Sequence, residues 1–258
     1  MKTARRRVVL ITVAVLLIVG GGGTVALYVA AQRSRPGDAQ ALRTPSAGVR
    51  PTGPNGGVMQ GPSHPPVPTG VACTYTPADR GQGDARLAET PAPRATLTGR
   101  VTANLNTGIG VISIELRPDR APCTVNSFVS LARQDYYSDT DCHRLTTDGL
   151  WILQCGDPTG TGTGTPGYEF GEENVPTGST PAYPRGTVAM ANAGPGTNGG
   201  QFFIVYRDSA IPPAYSVFGT VTAGLDLIEQ VAAAGTENGT ADGRPRTPVH
   251  IDEITVAS

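Results

Sequence analysis

Stretches in which apolar and polar residues alternate recur from about residue 96 to the C-terminus, and they predict a domain built mainly of β-strands. The first two stretches, 96–107 and 110–116, flank the turn-forming sequence Asn106-Thr-Gly-Ile-Gly, which predicts an opening β-hairpin. Later strands are predicted at residues 142–145, 150–155, 186–191, 201–207, 217–221 and 249–256.

Two segments carry apolar residues at helical spacing instead. The first runs from a cap at Thr124 through Val125 and Phe128 to about Gln134, and the second spans residues 225–234. Because strands outnumber helices, the pattern favours a mainly β fold, a closed antiparallel barrel with helices at its ends.

The N-terminal segment has a different character. Residues 8–31 carry no charge and consist mostly of Val, Leu, Ile, Ala and Gly, and they follow a basic cluster at Lys2 and residues 5–7. Because about 20 apolar residues span a bilayer, this predicts a single-pass membrane helix with the remainder of the chain on the extracytoplasmic side. The alternative is a cleaved signal peptide, but the apolar run is longer than the roughly 7–15 residues of a usual signal core.

A linker separates this segment from the domain. Residues 33–93 are rich in Pro, Gly, Ser, Thr and Arg and contain few large apolar residues, so they predict a disordered spacer. The chain therefore divides into a basic tip and anchor at 1–32, a linker at 33–93, and one domain at 94–258 that is long enough to bury a core.

The distribution of charge along the chain indicates which classes of molecule the domain could bind. The whole chain is nearly balanced, with 20 Lys and Arg against 21 Asp and Glu, but residues 92–258 contain 10 Arg against 17 Asp and Glu. An acidic domain argues against nucleic-acid binding. Nothing in the sequence predicts more than a monomer.

The four cysteines of the chain favour disulfides, because their number is even and the domain is predicted to be exported. Three connectivities are possible. We favour Cys142–Cys155, which would join neighbouring strands, and Cys73–Cys123, which would attach the end of the linker to the domain.

Two other kinds of site are less favoured. A zinc site from Cys142, His143, Cys155 and Asp157 matches no standard ligand spacing, and adjacent Cys and His are awkward for tetrahedral geometry. The Thr-Gly repeat at 159–165 lacks the Lys-Ser/Thr of a phosphate-binding loop and the βαβ unit that would surround it. We therefore predict neither a metal nor a cofactor.

The segment Met190-Ala-Asn-Ala-Gly-Pro-Gly-Thr-Asn-Gly-Gly-Gln-Phe-Phe-Ile carries the most specific chemistry. The side-chain amides of Asn192 and Gln201 can pair with a peptide backbone, and the glycines between them allow a tight turn and a close approach. Phe202 and Phe203 begin a strand, so that one ring faces a core and the other a cleft. The segment predicts a peptide site beside an apolar ring.

From about residue 97 to 256 the chain resembles the cyclophilin-type peptidyl-prolyl cis-trans isomerases. The resemblance implies a closed eight-stranded antiparallel barrel capped by two helices. Three blocks and a weaker fourth carry it: Ala121-Pro-Cys-Thr-Val-Asn-Ser-Phe; Cys142-His-Arg-Leu with Gln154-Cys-Gly-Asp-Pro; the segment from Met190 to Ile204; and Val217-Phe-Gly-Thr-Val.

The resemblance implies that Arg144 is the catalytic arginine and that Gln154 helps to hold it in place. Phe203 corresponds to the ring at the floor of the proline pocket. The positions that match the family's peptide-contacting residues are Trp151, Ile152, Ala191, Asn192, Ala193, Gln201, Phe203, Ile211 and Tyr215.

The chain departs from the family's pattern in two places. The interval between Arg144 and Gln154 is longer than usual, so the position of Trp151 rests on counting back from Gln154. Tyr215 stands where the family usually has a histidine, and Ile211-Pro-Pro-Ala replaces a segment that often carries a tryptophan important for cyclosporin binding. We expect weak cyclosporin binding.

The resulting hypothesis is a membrane-anchored isomerase that accelerates the folding of exported proteins by acting on their proline-containing segments. A non-catalytic proline-peptide binding module or holdase is the alternative, and a wall-structural protein is less favoured. Arg144, Gln154 and Gln201 together favour the enzyme. Taken alone, Arg144 could form a surface salt bridge with Asp148 or Asp157, while His143 should point to the opposite face of its strand.

Overall fold

The structure, a computed structural model, describes residues 69–78, 86–178 and 183–257. The predicted membrane segment at 8–31 and most of the predicted linker lie outside these residues. None of the helices within the described ranges has the length and apolar character needed to cross a bilayer.

Two helices and fourteen strands make up the described part of the chain. The helices are α1 (Pro122–Arg133) and α2 (Leu225–Ala234). The strands are β1 (Val71–Ala72), β2 (Thr76–Pro77), β3 (Arg94–Ala95), β4 (Val101–Thr107), β5 (Gly110–Leu116), β6 (Thr140–Asp141), β7 (Arg144–Thr146), β8 (Ile152–Cys155), β9 (Tyr168–Glu169), β10 (Thr187–Met190), β11 (Phe202–Val205), β12 (Val217–Ala223), β13 (Asp242–Gly243) and β14 (His250–Ala257).

Ten of the strands form one antiparallel sheet in the order β13-β7-β8-β11-β10-β12-β5-β4-β14-β6. The predicted opening hairpin is confirmed as β4 and β5, which pair from Val101–Leu116 to Thr107–Gly110. In the part of the chain that the structure describes, the end strands β13 and β6 do not pair with each other. The sheet is a curled half-barrel, so the mainly β prediction is confirmed, whereas closure into an eight-stranded barrel is not.

The core lies between α1 and the inner face of the sheet. Alternate residues of β4 and β5 are almost fully buried, as the sequence pattern predicts. The Phe128 ring of α1 has its centroid 5.1 Å from that of Phe218 and 5.5 Å from that of Phe202. Burying a side chain of this size stabilises the fold by about 1.5–3 kcal/mol, and the cluster fixes the strand that carries Phe203.

Helix α1 begins earlier than predicted. Pro122 occupies its first turn, Ala121 is its N-cap, and no N-cap side chain accepts a hydrogen bond there. Proline is well suited to this position because its missing N–H has no partner within the helix. Thr124, predicted to be the cap, lies inside the helix, and its hydroxyl donates to the Glu173 carboxylate at 2.9 Å.

Part of the predicted linker belongs to the folded domain. Strand β1 pairs with β3, and β2 pairs with β9. The Arg86 guanidinium donates to the backbone carbonyls of Asp135, Tyr136 and Ser138, just after α1. The domain therefore begins before residue 94, because these segments fold back onto α1.

Both favoured disulfides are present, and they use all four cysteines. Cys73–Cys123 attaches the segment before β2 to the first turn of α1, with a Cα–Cα distance of 5.4 Å. Cys142–Cys155 joins the residue two before β7 to the end of β8. The second bond excludes the zinc alternative, because it consumes both of the thiols that alternative needs.

Candidate active site

Backbone pairing places three of the predicted site residues side by side. Arg144 on β7 lies opposite Gln154 on β8, and Gln154 lies opposite Phe203 on β11. Directly paired residues of an antiparallel sheet project from the same face. The three side chains therefore form a row across the outer face of the sheet.

A relay of side-chain hydrogen bonds fixes the polar members of this site. Arg144 Nη1 donates to Gln154 Oε1 at 3.2 Å, and Gln154 Nε2 donates to Gln201 Oε1 at 2.9 Å. Gln201 Nε2 in turn donates to the carbonyls of Gly162 and Gly164 at 3.0 and 3.1 Å. Each side-chain amide can make both of its hydrogen bonds in only one orientation, so the oxygen of Gln154 faces Arg144.

Asp242 is the ionic partner of Arg144, and sequence reasoning missed it. Arg144 Nε donates to Asp242 Oδ1 at 2.9 Å, and Nη2 donates to Oδ2 at 2.8 Å. Hydrogen bonding to Asp242 raises the pKa of Arg144, which keeps the guanidinium charged, and the same interaction lowers the pKa of Asp242.

Asp157, considered as a partner of Arg144, instead organises the loop between β8 and β9. Its buried carboxylate accepts hydrogen bonds from the backbone N–H groups of Thr159, Gly162 and Gly164. Burial alone would raise the pKa of Asp157, but the hydrogen bonds from Thr159 and the two glycines hold it below its ordinary value. The loop that receives Gln201 is therefore ordered from within.

A cavity of about 160 Å³, with an apolar floor and polar groups at its rim, opens next to Arg144. Its floor is Phe203, which is 3% exposed, and the Tyr215 ring stands nearly perpendicular to Phe203 with centroids 5.4 Å apart. The cavity is too small for a drug-sized ligand, but a small ring would fit on its apolar floor, beside the Arg144 guanidinium. It is lined by Arg144, Leu150, Ile152, Gln154, Ala191, Asn192, Phe203, Ile211 and Tyr215.

Three predicted contact residues, Trp151, Ala193 and Gln201, do not line this cavity, and Trp151 lies on the far side of the sheet from it. The Trp151 ring packs against the main core and lies 5.4 Å from the Arg207 guanidinium, beside a separate cavity next to α2. Leu150 lines the cavity in its place. Because strand residues alternate between faces, counting back from Gln154 in steps of two reaches Ile152 and Leu150, and this signal was available in the sequence.

The Asn192 side chain is engaged inside the protein. Its Nδ2 donates to the Ala214 carbonyl at 3.1 Å, and its Oδ1 accepts the Gly194 N–H at 3.2 Å. Ala193 N–H donates to Thr197 Oγ1 at 2.8 Å. These bonds shape the loop after β10, so the amide predicted to hold a peptide directly is used to hold the loop.

A second, larger cavity of about 370 Å³ adjoins the first. The two share Gln154, Ala191 and Asn192. The second also receives Ala193 and Gln201, and among the described residues Glu169 is the only charged one that lines it. The two cavities make one continuous groove along β8 and the loop after β10, which suits an extended chain better than a compact molecule.

His143, next to Arg144, takes no part in this groove. It is 8% exposed, and neither ring nitrogen has a hydrogen-bond partner in the described structure. Burial lowers the pKa of His143. Within the described ranges, no group of three or more His, Cys, Asp or Glu residues is arranged to hold a metal ion.

Comparison with known proteins gives one consistent family. The model of the family described as "Cyclophilin type peptidyl-prolyl cis-trans isomerase/CLD" matches residues 102–256. The chain is 46% identical over 205 residues to the probable peptidyl-prolyl cis-trans isomerase B of Mycobacterium tuberculosis, a match that covers 75% of this chain and 66% of that protein. It is 45% identical over 206 residues to the protein of the same description in Mycobacterium leprae, covering 74% and 68%. The chain thus spans about two thirds of the length of these relatives.

A solved structure agrees with the sequence relatives. The crystal structure of a cyclophilin type peptidyl-prolyl cis-trans isomerase from Cryptosporidium parvum, determined in the presence of the dipeptide Ala-Pro, superposes with a TM-score of 0.52 at 30% identity. The match covers 61% of this chain and 99% of that one.

Proposed function

Because this chain belongs to the family of cyclophilin-type peptidyl-prolyl cis-trans isomerases, we propose that it catalyses rotation about X–Pro bonds in proteins that fold outside the cytoplasm. The observation that carries the proposal is the position of Arg144, held between Asp242 and Gln154 at the rim of a cavity floored by Phe203.

The chemistry requires a cation but neither a nucleophile nor a metal. Rotation about an X–Pro bond faces a barrier of about 20 kcal/mol, because the amide nitrogen shares its lone pair with the carbonyl. In the twisted transition state the lone pair localises on the nitrogen. A donor aimed at that nitrogen stabilises the transition state more than either planar ground state, which lowers the barrier.

The groove supplies the two other requirements. The proline ring would lie on Phe203 and against Ile152 and Ile211, which anchors one side of the bond. The chain on the other side would lie along Ala191 and Asn192, whose side chain is held against the Ala214 carbonyl. Dipeptide Ala-Pro, present with the Cryptosporidium parvum relative, is the smallest segment of this type.

The assay is a protease-coupled prolyl-peptide measurement on the full chain in detergent. Arg144→Ala should reduce kcat by about 10²–10³-fold, the usual effect of losing an electrostatic donor, whereas Arg185→Ala, which removes an exposed arginine paired with Glu229, should not. Binding of a proline peptide without turnover in the parent would establish the non-catalytic module or holdase instead. Activity that survives Arg144→Ala would refute the assigned mechanism.

Export and membrane attachment complete the proposal. The uncharged run at 8–31, which follows basic residues, and the disulfides, which persist mainly in oxidising compartments, both support a single-pass anchor with the domain outside. Fractionation of cells that express the full chain tests this. The protein should sediment with membranes and be cleaved by protease added to intact spheroplasts, and recovery in the cytosol with four free thiols would refute it.

We further propose that the domain acts as a monomer and binds cyclosporin weakly. The second point rests on Tyr215, which lines the cavity where the family usually has a histidine, and on the segment Ile211-Pro-Pro-Ala, which replaces one that often carries a tryptophan. Inhibition at nanomolar concentrations would contradict it, and analytical ultracentrifugation tests the first point.

A further inference from the structure

The register of the sheet places Asp242 next to Arg144, so that its short side chain is long enough to contact the guanidinium. On edge strand β13, Asp242 pairs with Thr146 of β7, and Gly243 pairs with Leu145. Thr146 and Arg144 are two residues apart and project from the same face. Asp242 is therefore the diagonal cross-strand neighbour of Arg144, and its carboxylate is directed at the guanidinium by the backbone.

The segment around Asp242 is itself fixed. Thr147 N–H donates to the Ala241 carbonyl at 2.8 Å, and Thr240 Oγ1 donates to the Asp242 carbonyl at 2.7 Å. Gly243 permits close packing there, because a Cβ at this position would lie 2.8 Å from Asn238 Oδ1. The carboxylate therefore has a defined place before any ligand enters the groove.

Counting donors shows what this carboxylate does for Arg144. A guanidinium has five N–H groups in one plane. Asp242 accepts one from Nε and one from Nη2, and Gln154 accepts one from Nη1. Within the described ranges, one N–H on each terminal nitrogen has no acceptor and remains for a substrate. A single hydrogen bond to Gln154 would leave the plane free to rotate, whereas the two parallel bonds to Asp242 fix it.

The negative charge of Asp242 by itself disfavours catalysis, but this effect is smaller than the benefit of orienting Arg144. A carboxylate beside the guanidinium weakens the positive potential that the twisted amide would experience. The side chains of Arg144 and Asp242 are 39% and 55% exposed, so water screens much of the Coulomb interaction. Water does not weaken the orientation of the guanidinium, so the net effect of Asp242 on catalysis is favourable.

We propose that Asp242 is a positioning residue that holds the two remaining N–H groups of Arg144 towards the rotating amide. This inference rests on the proposed mechanism at Arg144. It predicts that loss of Asp242 acts on kcat and leaves KM nearly unchanged, because the oriented donor is required only in the transition state.

Kinetics of the full chain test the inference with a matched control. Asp242→Ala should lower kcat by about tenfold to a hundredfold, since displacement of a reacting group by about 1 Å can cost up to a hundredfold. Asp242→Asn should be nearly as impaired, because its amide keeps the size but presents N–H groups to Arg144. Glu229→Ala, which removes the exposed pair with Arg185 far along the chain, should leave kcat unchanged.

A double-variant cycle separates positioning from a general structural role. If Asp242 acts through Arg144, Asp242→Ala should cause no further loss in an Arg144→Ala background. An equal fold-loss in both backgrounds, or a kcat for Asp242→Ala within twofold of the parent, would overturn the inference while leaving the activity itself intact.

The ¹⁵N signal of the Arg144 side chain tests the inference even if the parent proves inactive. The Nε–H should be slow to exchange in the parent and in Glu229→Ala, and fast in Asp242→Ala and Asp242→Asn. Slow exchange in both Asp242 variants would overturn the positioning role, whereas an inactive parent with the expected exchange pattern would refute only the proposed activity.

Discussion

The Glu173 carboxylate accepts the backbone N–H of Thr124 at 2.8 Å, and thereby caps a helix from 49 residues away in the chain. Its other oxygen accepts the Cys123 N–H at 3.1 Å. Helix α1 has no capping side chain of its own, so Glu173 satisfies two of its orphan donors and places a negative charge at the positive end of the helix. The preceding residue, Glu172, accepts the Gly196 N–H beside the groove.

Removal of this cap should destabilise the domain without abolishing activity. Loss of a helix-capping side chain costs about 0.5–2 kcal/mol, so Glu173→Ala should lower the free energy of unfolding by about that amount in urea titrations. Glu237→Ala, at an exposed position on the surface, is the control and should change it little. Equal stabilities of the two variants would show that the cap is not needed.

Sequence patterns anticipated those elements that are long enough to show a period. The predicted helix at 225–234 coincides with α2, and alternation located β4, β5 and β14. The two-residue strands β1, β2, β3, β6, β9 and β13 were not predicted, because two residues are too few to display alternation. Two of these strands extend the sheet beyond the expected barrel.

The same limit explains which part of the site was missed. Arg144, Gln154 and Phe203 come from separate blocks of sequence, but each lies in a motif that could be recognised. The register of β7, β8 and β11 then brings the three together. Asp242 lies 98 residues after Arg144 on one of the unpredicted strands. No local signal distinguishes it from Asp148 or Asp157, and only the fold selects it.

The two disulfides should differ in their contribution to stability. Their cysteines are 50 and 13 residues apart. Constraint of the unfolded chain predicts stabilisation of about 4 kcal/mol for Cys73–Cys123 and about 3 kcal/mol for Cys142–Cys155. Urea unfolding of the two double Cys→Ala variants measures both values. If Cys142–Cys155 proved the more costly to remove, packing of its buried sulfurs would outweigh chain entropy.

The two histidines of the domain should affect stability in opposite directions as pH changes. The hydrogen bond with Asp141, together with nearby Asp139 and Asp252, raises the pKa of His250. Its stabilising effect is therefore complete below the unfolded value of about 6.5 and is lost as pH rises through the folded pKa. Burial lowers the pKa of His143, so its contribution is complete above about 6.5 and is lost as pH falls below that value.

Comparison of His250→Gln with the parent isolates the first effect, because His143 is common to both. The parent should be more stable than the variant at about pH 5.5, and the difference should shrink by about pH 9. Urea unfolding at the two pH values measures it. A difference that grows with pH would contradict the assigned role of Asp141 and Asp139.

Leu150 and Trp151 provide a direct test of which side chain faces the groove. Leu150 lines the cavity above Phe203, whereas Trp151 contacts Arg207 on the other side of the sheet. Leu150→Ala should therefore raise KM for prolyl peptides several-fold through lost apolar contact, while Trp151→Phe should leave kcat and KM unchanged. Because Trp151 is the only tryptophan of the chain, its fluorescence in the parent should also respond little to saturating peptide. A strong fluorescence change, together with a raised KM in Trp151→Phe, would place the indole in the groove and move Leu150 out of it.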